Sequence, residues 1–449
     1  MRTSKNAASS APMNNSKKIL LGIQHLFAMF GSTVLVPQLT GLNPAVALIA
    51  AGIGTLIFHL VTGGKVPVFL GSSFAFITAI QTVCINGDPR LLEMQKNGMN
   101  FITDPGYLSR IPYAMGGIVV AGAVYLVLSL LVRLVGVERI RKLFPPVVTG
   151  PVIMVIGLTL APTALGMAQN NWLIAIVTLA VVIVISIFTR GFFKLVPVLI
   201  GLASGYAASI IYDLIVRPET HLVNFQKIVD ADWISRFWDF SGSFFVLPKF
   251  ELGAILLIAP VALVAFMEHI GDITTNGTVV GKDFLRDPGL HRTLLGDGLA
   301  TMFAGLIGGP ANTTYSENTG VLAVTKIYDP LILRITACFA IILGLFGKFG
   351  AVLQTIPAPV MGGVSILLFG MIASIGVRSL AEADLDFSHS RNLIVVALIL
   401  VVGIGLNDGV TIGNITISGL FLAVLIGAVV NLILPAEDKD SAVPADAQE

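Results

Sequence analysis

The chain has 449 residues, of which 55% are hydrophobic and only 12% are charged. Soluble globular chains carry about 25% charged residues because their surface faces water. The composition therefore excludes an ordinary soluble protein and predicts a polytopic membrane protein. The formal net charge of +1 excludes nucleic acid as an electrostatic partner. The two cysteines, Cys84 and Cys338, match neither a disulfide framework nor a zinc site.

Apolar runs long enough to cross a membrane recur along the whole chain. A spanning helix needs about 20 mostly apolar residues. Runs of this length begin near Ile19, Ala45, Pro67, Tyr113, Pro145, Trp172, Leu195, Leu252, Leu294, Ala311, Pro330, Ile356, Asn392 and Ile415. We therefore predict an all-α polytopic membrane protein with about 14 transmembrane segments. The polar tail at residues 1–17 leads into the first run without a cleavage site, so we expect a retained first span.

Lysine and arginine residues cluster in every second turn between these runs. Cytoplasmic loops of membrane proteins carry an excess of both residues. If the N-terminus is inside, the cytoplasmic residues are Lys65, Arg133, Arg139, Arg141, Lys142, Arg190, Lys194, Lys282, Arg286, Arg292, Lys326, Arg378 and Arg391. We expect a multi-pass protein of the cell membrane with cytoplasmic tails at residues 1–17 and 436–449.

A weak internal repeat relates the two halves of the chain. Three pairs of motifs occur in the same order: Gln24-His25 with Glu268-His269, Ser73-Phe74 with Ser316-Glu317, and Pro145-Pro146-Val147 with Ala358-Pro359-Val360. Seven spans per half is an odd number, so the halves enter the membrane in opposite orientations. Such a 7+7 inverted repeat is a transporter architecture, with the binding site at the repeat interface.

The third and tenth segments are interrupted in the same way. Only about fourteen residues separate Ala311 from Thr325, which is too short for a full spanning helix. Each segment is predicted to be a short extended stretch followed by a half-helix, with Ser72 or Ser73 and Ser316 as N-caps. Matched interrupted segments indicate a binding site at the membrane midplane. Two kinked structural helices are the alternative.

Acidic side chains lie inside the eighth and ninth segments. The apolar run at residues 252–267 covers only about 24 Å as a helix, so the helix must continue through Glu268 and Asp272 while still in the membrane. These two residues are one turn apart on one face. A buried carboxylate is costly when ionised, and one that gains and loses a proton is what proton coupling requires. The alternative is a structural pair satisfied by hydroxyls, and Asp297 fits helix packing at least as well as coupling.

The histidines and the known catalytic motifs offer little support for an enzyme. His25 and His269 are each interpreted as hydrogen-bonded helix residues. Glu268-His269 lacks the second histidine of a metalloprotease motif, and no Walker A sequence occurs. We predict no enzyme activity, no metal and no cofactor other than the proton as coupling ion.

Three motifs resemble those of the nucleobase–ascorbate transporter family, and within it the bacterial uracil permeases. The signature of the tenth segment stands complete at residues 317–326 (ENTGVLAVTK). Residues 24–31 (QHLFAMFG) and 71–76 (GSSFAF) are similar to the uracil-permease versions of the first and third spans. The likeness extends over about residues 18–434.

The resemblance implies two domains and a homodimer. Residues 18–135 and 251–350 would form a core that carries the substrate. Residues 136–250 and 351–435 would form a gate that also makes the dimer contact in the lipid membrane. Alternating access would follow from movement of the core against the gate.

The resemblance also implies a substrate site made by Glu268, Glu317 and backbone N–H groups near Phe74 and Ser316. Uracil has two ring N–H donors for the carboxylates and two carbonyl acceptors for the N–H groups. Phe74, Tyr315 and Phe369 are candidates to flank the ring, although Phe369 is equally consistent with a core role. Glu268, Asp272 and Glu317 are the candidates for proton coupling.

Three positions depart from the uracil permeases. Asp272, Ser316 and Phe369 stand where those permeases often have His, Gly and Tyr, and Asp272 is more similar to the xanthine and urate members. Glu317 favours uracil because purine members usually have Gln there, and a carboxylate repels an anionic purine. The leading hypothesis is a proton-coupled uracil symporter. The alternatives are a xanthine or purine permease and an anion transporter of the same architecture, which two carboxylates disfavour.

Overall fold

The computed structural model describes residues 14–85, 87–96, 101–216, 222–235, 237, 244–383, 385–407, 409–412 and 415–435. Most of the predicted N-terminal tail and all of the predicted C-terminal tail lie outside these residues. Statements about the structure refer to the described residues.

The molecule is almost entirely helical. The helices of the first half are α1 (Asn15–Thr40), α2 (Pro44–Val61), α3 (Ile77–Ile85), α4 (Pro89–Lys96), α5 (Pro105–Val135), α6 (Val137–Leu143), α7 (Pro146–Gln169), α8 (Trp172–Phe188), α9 (Pro197–Ile211) and α10 (Gln226–Asp230). Those of the second half are α11 (Leu252–Ile258), α12 (Val261–Val280), α13 (Leu290–Ile307), α14 (Ser316–Thr325), α15 (Pro330–Leu345), α16 (Gly347–Gln354), α17 (Ala358–Glu382), α18 (Ser390–Gly405) and α19 (Gly419–Ile433). The strands are β1 (Leu70–Ser72), β2 (Asn312–Thr314), β3 (Val410–Ile412) and β4 (Ile415–Ile417).

The prediction of an all-α polytopic membrane protein is confirmed. Seven of the described helices are long and apolar enough to cross a membrane, and five shorter apolar helices accompany them. Each predicted segment coincides with a helix or with a strand followed by a helix. Two details differ. The eighth segment is broken at Pro260 between α11 and α12, and the fourteenth begins as β4, so its helix begins only at Gly419.

Proline and polar caps explain many of the helix starts. Helices α2, α5 and α15 each begin with proline, which lacks the N–H that a first turn leaves unbonded. Asn43, Asp104 and Asp329 precede these prolines, and each side chain accepts a backbone N–H of the first turn.

The two interrupted segments meet in an antiparallel pair of strands. Leu70 pairs with Thr314, Gly71 with Thr313 and Ser72 with Asn312. Extended backbone inside a membrane needs partners for its polar groups, and each strand supplies them for the other. After β1 a single 3-10 turn (Phe74–Phe76) leads into α3, and after β2 the chain enters α14 directly. The predicted extended stretches are therefore present.

Ser73 occupies the predicted cap position, but none of the predicted serines makes a capping hydrogen bond. Ser73 precedes the 3-10 turn, but its hydroxyl makes no hydrogen bond to a described residue, and Ser72 Oγ donates to Thr33 O at 3.0 Å. Ser316 is already the first residue of α14, and Tyr315 holds the cap position. A capping side chain accepts a backbone N–H from the residue before the helix, so Ser316 lies one residue too late, and its hydroxyl donates to Asp272.

Small residues bring the long helices into close contact. At the α5–α13 crossing, a Cβ added to Gly122 would lie 2.8 Å from Gly298 O. At the α7–α17 crossing, a Cβ added to Gly376 would lie 2.4 Å from Gly150 O. Such close backbone approach is the usual way in which membrane helices gain packing energy. These two crossings anchor separate sets of helices, with α2 and α15 beside the first and α8 and α18 beside the second.

Candidate functional site

Helix α12 brings the predicted acidic residues to the strand crossing. It begins after Pro260 and continues to Val280, so Glu268 and Asp272 lie in its middle and are half-buried. Their i, i+4 spacing places both on one face. The helix contacts β2 and α14, so that face lies against the tenth segment.

Asp272 ties α12 to the tenth segment through two hydroxyl groups. Its Oδ2 accepts a hydrogen bond from Thr314 Oγ1 at 3.0 Å, and its Oδ1 accepts one from Ser316 Oγ. The carboxylate therefore bridges the end of β2 and the start of α14. This contact fixes the position where the tenth segment changes from strand to helix.

Glu317 follows Ser316 and also has a hydroxyl partner. Its Oε1 accepts a hydrogen bond from Ser32 Oγ of α1 at 2.7 Å. Sequence reasoning did not select Ser32. Its position was readable as a polar site, because Ser32 and Thr33 are adjacent hydroxyl residues within an otherwise apolar span.

Glu268 differs from both neighbours. Its Oε2 is buried and has no hydrogen-bond partner in the part of the chain that the structure describes. A carboxylate without donors is costly when ionised, whereas donated hydrogen bonds offset part of that cost. Glu268 is therefore the acidic group of this site whose charge the surrounding protein compensates least.

The predicted aromatic residues lie around the same crossing. The rings of Phe74 and Phe369 are 6.0 Å apart between centroids and meet edge to face at 79°. Tyr315 is buried, and its hydroxyl donates to Ser72 O at 2.8 Å. A Cβ added to Gly71 would lie 2.3 Å from the Tyr315 ring, so β1 can pass over this ring only with glycine there. Phe369 comes from α17 and thus brings a helix of the second set to the site.

The two buried histidines of this region each contact other buried polar side chains. His269 Nδ1 lies 2.8 Å from Asp297 Oδ2, and His269 Nε2 lies 2.9 Å from Thr293 Oγ1. Asn318 Nδ2 donates to His25 O at 3.1 Å and lies 3.2 Å from His25 Nδ1. These contacts agree with the interpretation of both histidines as hydrogen-bonded helix residues.

Helices α12 and α14 each expose one side beyond the site. The exposed residues on α12 are Gly271, Thr274 and Thr278, and those on α14 are Gly320, Ala323 and Val324. Helix α8, in contrast, exposes apolar side chains such as Ile187, as a lipid-facing helix does. The exposed side of α12 is therefore less apolar than that of α8, whereas the exposed end of α14 is apolar.

The end of α14 lies on the same side of the protein as the start of α1. Lys18 Nζ of α1 is 2.8 Å from Asp329 Oδ2, which follows α14. Helix α14 thus runs from the site to the side on which the first helix begins. The described residues contain no group of three or more His, Cys, Asp and Glu side chains that could hold a metal ion.

Two half-helices that meet at paired strands beside unpaired and hydroxyl-bound carboxylates define a membrane transporter. Residues 16–412 match the Permease family. The "Uracil permease" of Bacillus subtilis (strain 168) is 42% identical over 444 residues, which cover 94% of each chain. The "Uracil permease" of Bacillus caldolyticus is 44% identical over 428 residues, 93% of this chain and 92% of that one. The chain belongs to this permease family, the nucleobase–ascorbate transporters, as the sequence motifs indicated.

A solved structure has the same fold at low identity. The murine Solute Carrier 26 member A9 anion transporter, in its inward-facing state, is 12% identical with a TM-score of 0.64, over 96% of this chain and 73% of that one. This likeness concerns the fold alone. The relatives named above are permeases, which confirms the prediction of a transporter rather than an enzyme.

Proposed function

We propose that this chain is a proton-coupled symporter that imports uracil, or a closely related nucleobase, across the cell membrane. The observation that carries the proposal is the pair of glutamates, Glu268 and Glu317, beside the N-termini of two half-helices. The names of the relatives at 42–44% identity support uracil as the substrate.

The chemistry of the site fits a neutral pyrimidine. Glu268 and Glu317 would accept the ring N–H groups, and the backbone N–H groups near Phe74 and Ser316 would donate to the carbonyls. The N–H groups of a first helical turn have no intrahelical partner and carry the positive end of the helix dipole. Phe369 would contact the ring together with Phe74, and Tyr315 would support it from below.

The same carboxylates disfavour the two alternatives. An anionic xanthine or urate, or an inorganic anion, would meet two acidic groups without a nearby compensating cation. The fold is shared with an anion transporter, but a shared fold does not carry a shared substrate. Uracil is neutral and supplies the donors that these acceptors need.

Coupling to protons is assigned chiefly to Glu268. A neutral glutamic acid enters an apolar environment far more cheaply than a glutamate. Protonation would therefore allow the loaded core to move, and release of the proton on the other side would weaken substrate binding. Asp272 and Glu317 would add negative charge that favours uptake of the proton.

Alternating access is proposed to follow from two packing groups. Residues 18–135 and 251–350 would form the core, in which α5 packs on α13 and α2 on α15. Residues 136–250 and 351–435 would form the gate, in which α7 packs on α17 and α18 on α19. The contacts between core and gate, such as that of α1 with α9, are less extensive than the contacts within each group. A sliding movement would therefore disrupt little packing.

A homodimer through the gate, embedded in lipid, completes the proposal. The gate helices expose extensive apolar surface, for example at Phe188 and Ile433.

The placement of basic residues supports cytoplasmic N- and C-termini.

Reversible cross-linking tests the sliding movement. In a variant without Cys84 and Cys338, one cysteine is placed in α7 or α17 and a second in a core helix that faces it. Oxidation should stop uracil uptake, and reduction should restore it. Full uptake with the cross-link formed would contradict movement of the core against the gate.

Uptake in proteoliposomes tests the substrate and the coupling. Radiolabelled uracil should accumulate when the outside is more acidic than the inside and should only equilibrate without the gradient. Unlabelled uracil should compete, whereas chloride and bicarbonate should not. Equal accumulation without a gradient, or better competition by xanthine than by uracil, would contradict the proposal.

A further inference from the structure

Ser32 makes an unusual contact for a hydroxyl group in a membrane helix. It lies in α1 and is 2% exposed, and its Oγ donates to Glu317 Oε1 of α14 at 2.7 Å. The two residues are 285 positions apart in the chain. The bond therefore links the first helix of one half to the interrupted segment of the other.

Several other buried hydroxyls in this protein donate to a backbone carbonyl of their own helix. Thr40 Oγ1 donates to Val36 O, Thr178 Oγ1 to Ile174 O and Ser365 Oγ to Met361 O, each four residues back. This is the usual partner of a serine or threonine in a membrane helix. A hydroxyl has one proton to donate, and Ser32 gives it to Glu317.

We propose that Ser32 is a positioning and specificity residue of the substrate site, which holds Glu317 Oε1 toward α1 and leaves Oε2 as the single acceptor for the substrate. This inference rests on the function proposed above, in which Glu317 accepts a ring N–H. The hydrogen bond restricts the rotation of the Glu317 side chain, so the free oxygen has a defined direction before substrate arrives.

A single free acceptor selects among pyrimidines. The N3–H of uracil stands alone between two carbonyls and needs one acceptor. Isocytosine has the same ring size, but its amino group stands beside a ring N–H, so its edge offers two adjacent donors. With Oε1 held toward α1 by Ser32, Glu317 directs only Oε2 to the substrate and meets one of these donors, and the unmet donor costs affinity. Ser32 thus favours bases with one N–H at this edge over bases with two.

Competition binding on the purified, full-length protein tests this inference. The affinities for uracil and isocytosine are measured for the parent, Ser32→Ala, Ser32→Gly and Ser32→Thr. Loss of the hydroxyl in Ser32→Ala or Ser32→Gly should weaken uracil binding by about three- to tenfold, because the orientation of Glu317 is lost and not its contact with the ring. Isocytosine binding should weaken less or become tighter. The ratio of the dissociation constant of isocytosine to that of uracil should therefore fall. Ser32→Thr keeps the hydroxyl and should retain the parental ratio.

Two further variants separate the possible failures. Thr40→Val removes a buried hydroxyl from the same helix without touching a carboxylate, and should leave the ratio unchanged. A parental ratio in both Ser32→Ala and Ser32→Gly, with uracil weakened by Glu317→Gln, would overturn the role of Ser32 alone. If Glu317→Gln also bound uracil like the parent, the proposed site itself would be wrong.

Discussion

Strands β1 and β2 occupy matched places in the two halves, yet only the segment that contains β2 carries an acidic side chain. Residues 19–85 contain no Asp or Glu at all. The second half supplies Glu268, Asp272, Asp297 and Glu317. Both strands give the same backbone pairing, and each precedes a helix start. The comparison indicates that the paired backbone sets the geometry, whereas one half alone places carboxylates beside it.

The largest effect is expected from the backbone side of this comparison. Gly71→Ala would place a Cβ 2.3 Å from the Tyr315 ring and 2.9 Å from Thr33 Oγ1. Overpacking of this kind typically costs about 1–3 kcal/mol, and here it would also separate β1 from β2. We expect loss of uracil binding together with a lower Tm.

Gly405→Ala is the matched control for that substitution. Gly405 lies in α18 with no described atom within 4 Å of an added Cβ. It should bind uracil and unfold like the parent. If Gly71→Ala behaves in the same way, the close passage of β1 over Tyr315 is not needed for the site.

The chemical side of the comparison is tested by Glu317→Gln. The amide keeps the size of the side chain but accepts hydrogen bonds less strongly than a carboxylate. Hydrogen bonds to charged groups contribute about 1.5–3 kcal/mol, so uracil affinity should fall by about 10- to 150-fold. Calorimetric titration of purified protein measures this, and a Tm close to that of the parent would exclude unfolding as the cause.

A smaller effect, on stability alone, is expected outside the membrane. There the first half contains a carboxylate, Asp104, that stabilises a helix start. Asp104 caps α5 and accepts two hydrogen bonds at 3.0 Å from the Arg90 guanidinium. The backbone N–H of Gly106, and then Arg90, hold the pKa of Asp104 below its usual value. Because the folded-state pKa is lowered, the stabilisation is present at neutral pH and is lost as the pH falls through that pKa.

Asp104→Asn should therefore lower the Tm slightly at neutral pH and not at all in acid. Thermal unfolding of parent and variant across a pH series measures the difference. A difference in Tm that persisted below the pKa of Asp104 would contradict the assigned cause. Uracil binding should be unchanged because the loop lies away from the strand crossing.

The sequence predicted the segments well, because they depend on local composition, and it located the acidic residues that the structure brings to the strand crossing. The length of the apolar runs located the segments. The short run of the tenth segment indicated that this segment is interrupted. The break at Pro260 was missed, although a proline within an apolar run is a readable signal. The strand at residues 415–417 was merged into a helix because a short apolar run does not distinguish the two structures.

The partners of the acidic residues could not be predicted. The Ser32–Glu317 bond, the Ser316–Asp272 bond and the His269–Asp297 contact each join different helices, and their formation depends on the tertiary packing. The predicted cap at Ser316 failed because α14 begins one residue earlier than expected, with Tyr315 at the cap position. The distinction between compensated carboxylates and Glu268 therefore emerges only from the structure.

Uracil accumulation by Glu268→Gln against an imposed pH gradient tests the central claim most directly. The variant has no carboxylate to protonate at this position, so it should bind uracil but fail to concentrate it in proteoliposomes. Asp272→Asn, whose side chain normally accepts bonds from Thr314 and Ser316, should retain gradient-driven accumulation at a reduced rate. If Glu268→Gln concentrates uracil like the parent, the proton is carried by another residue and the account of coupling is wrong.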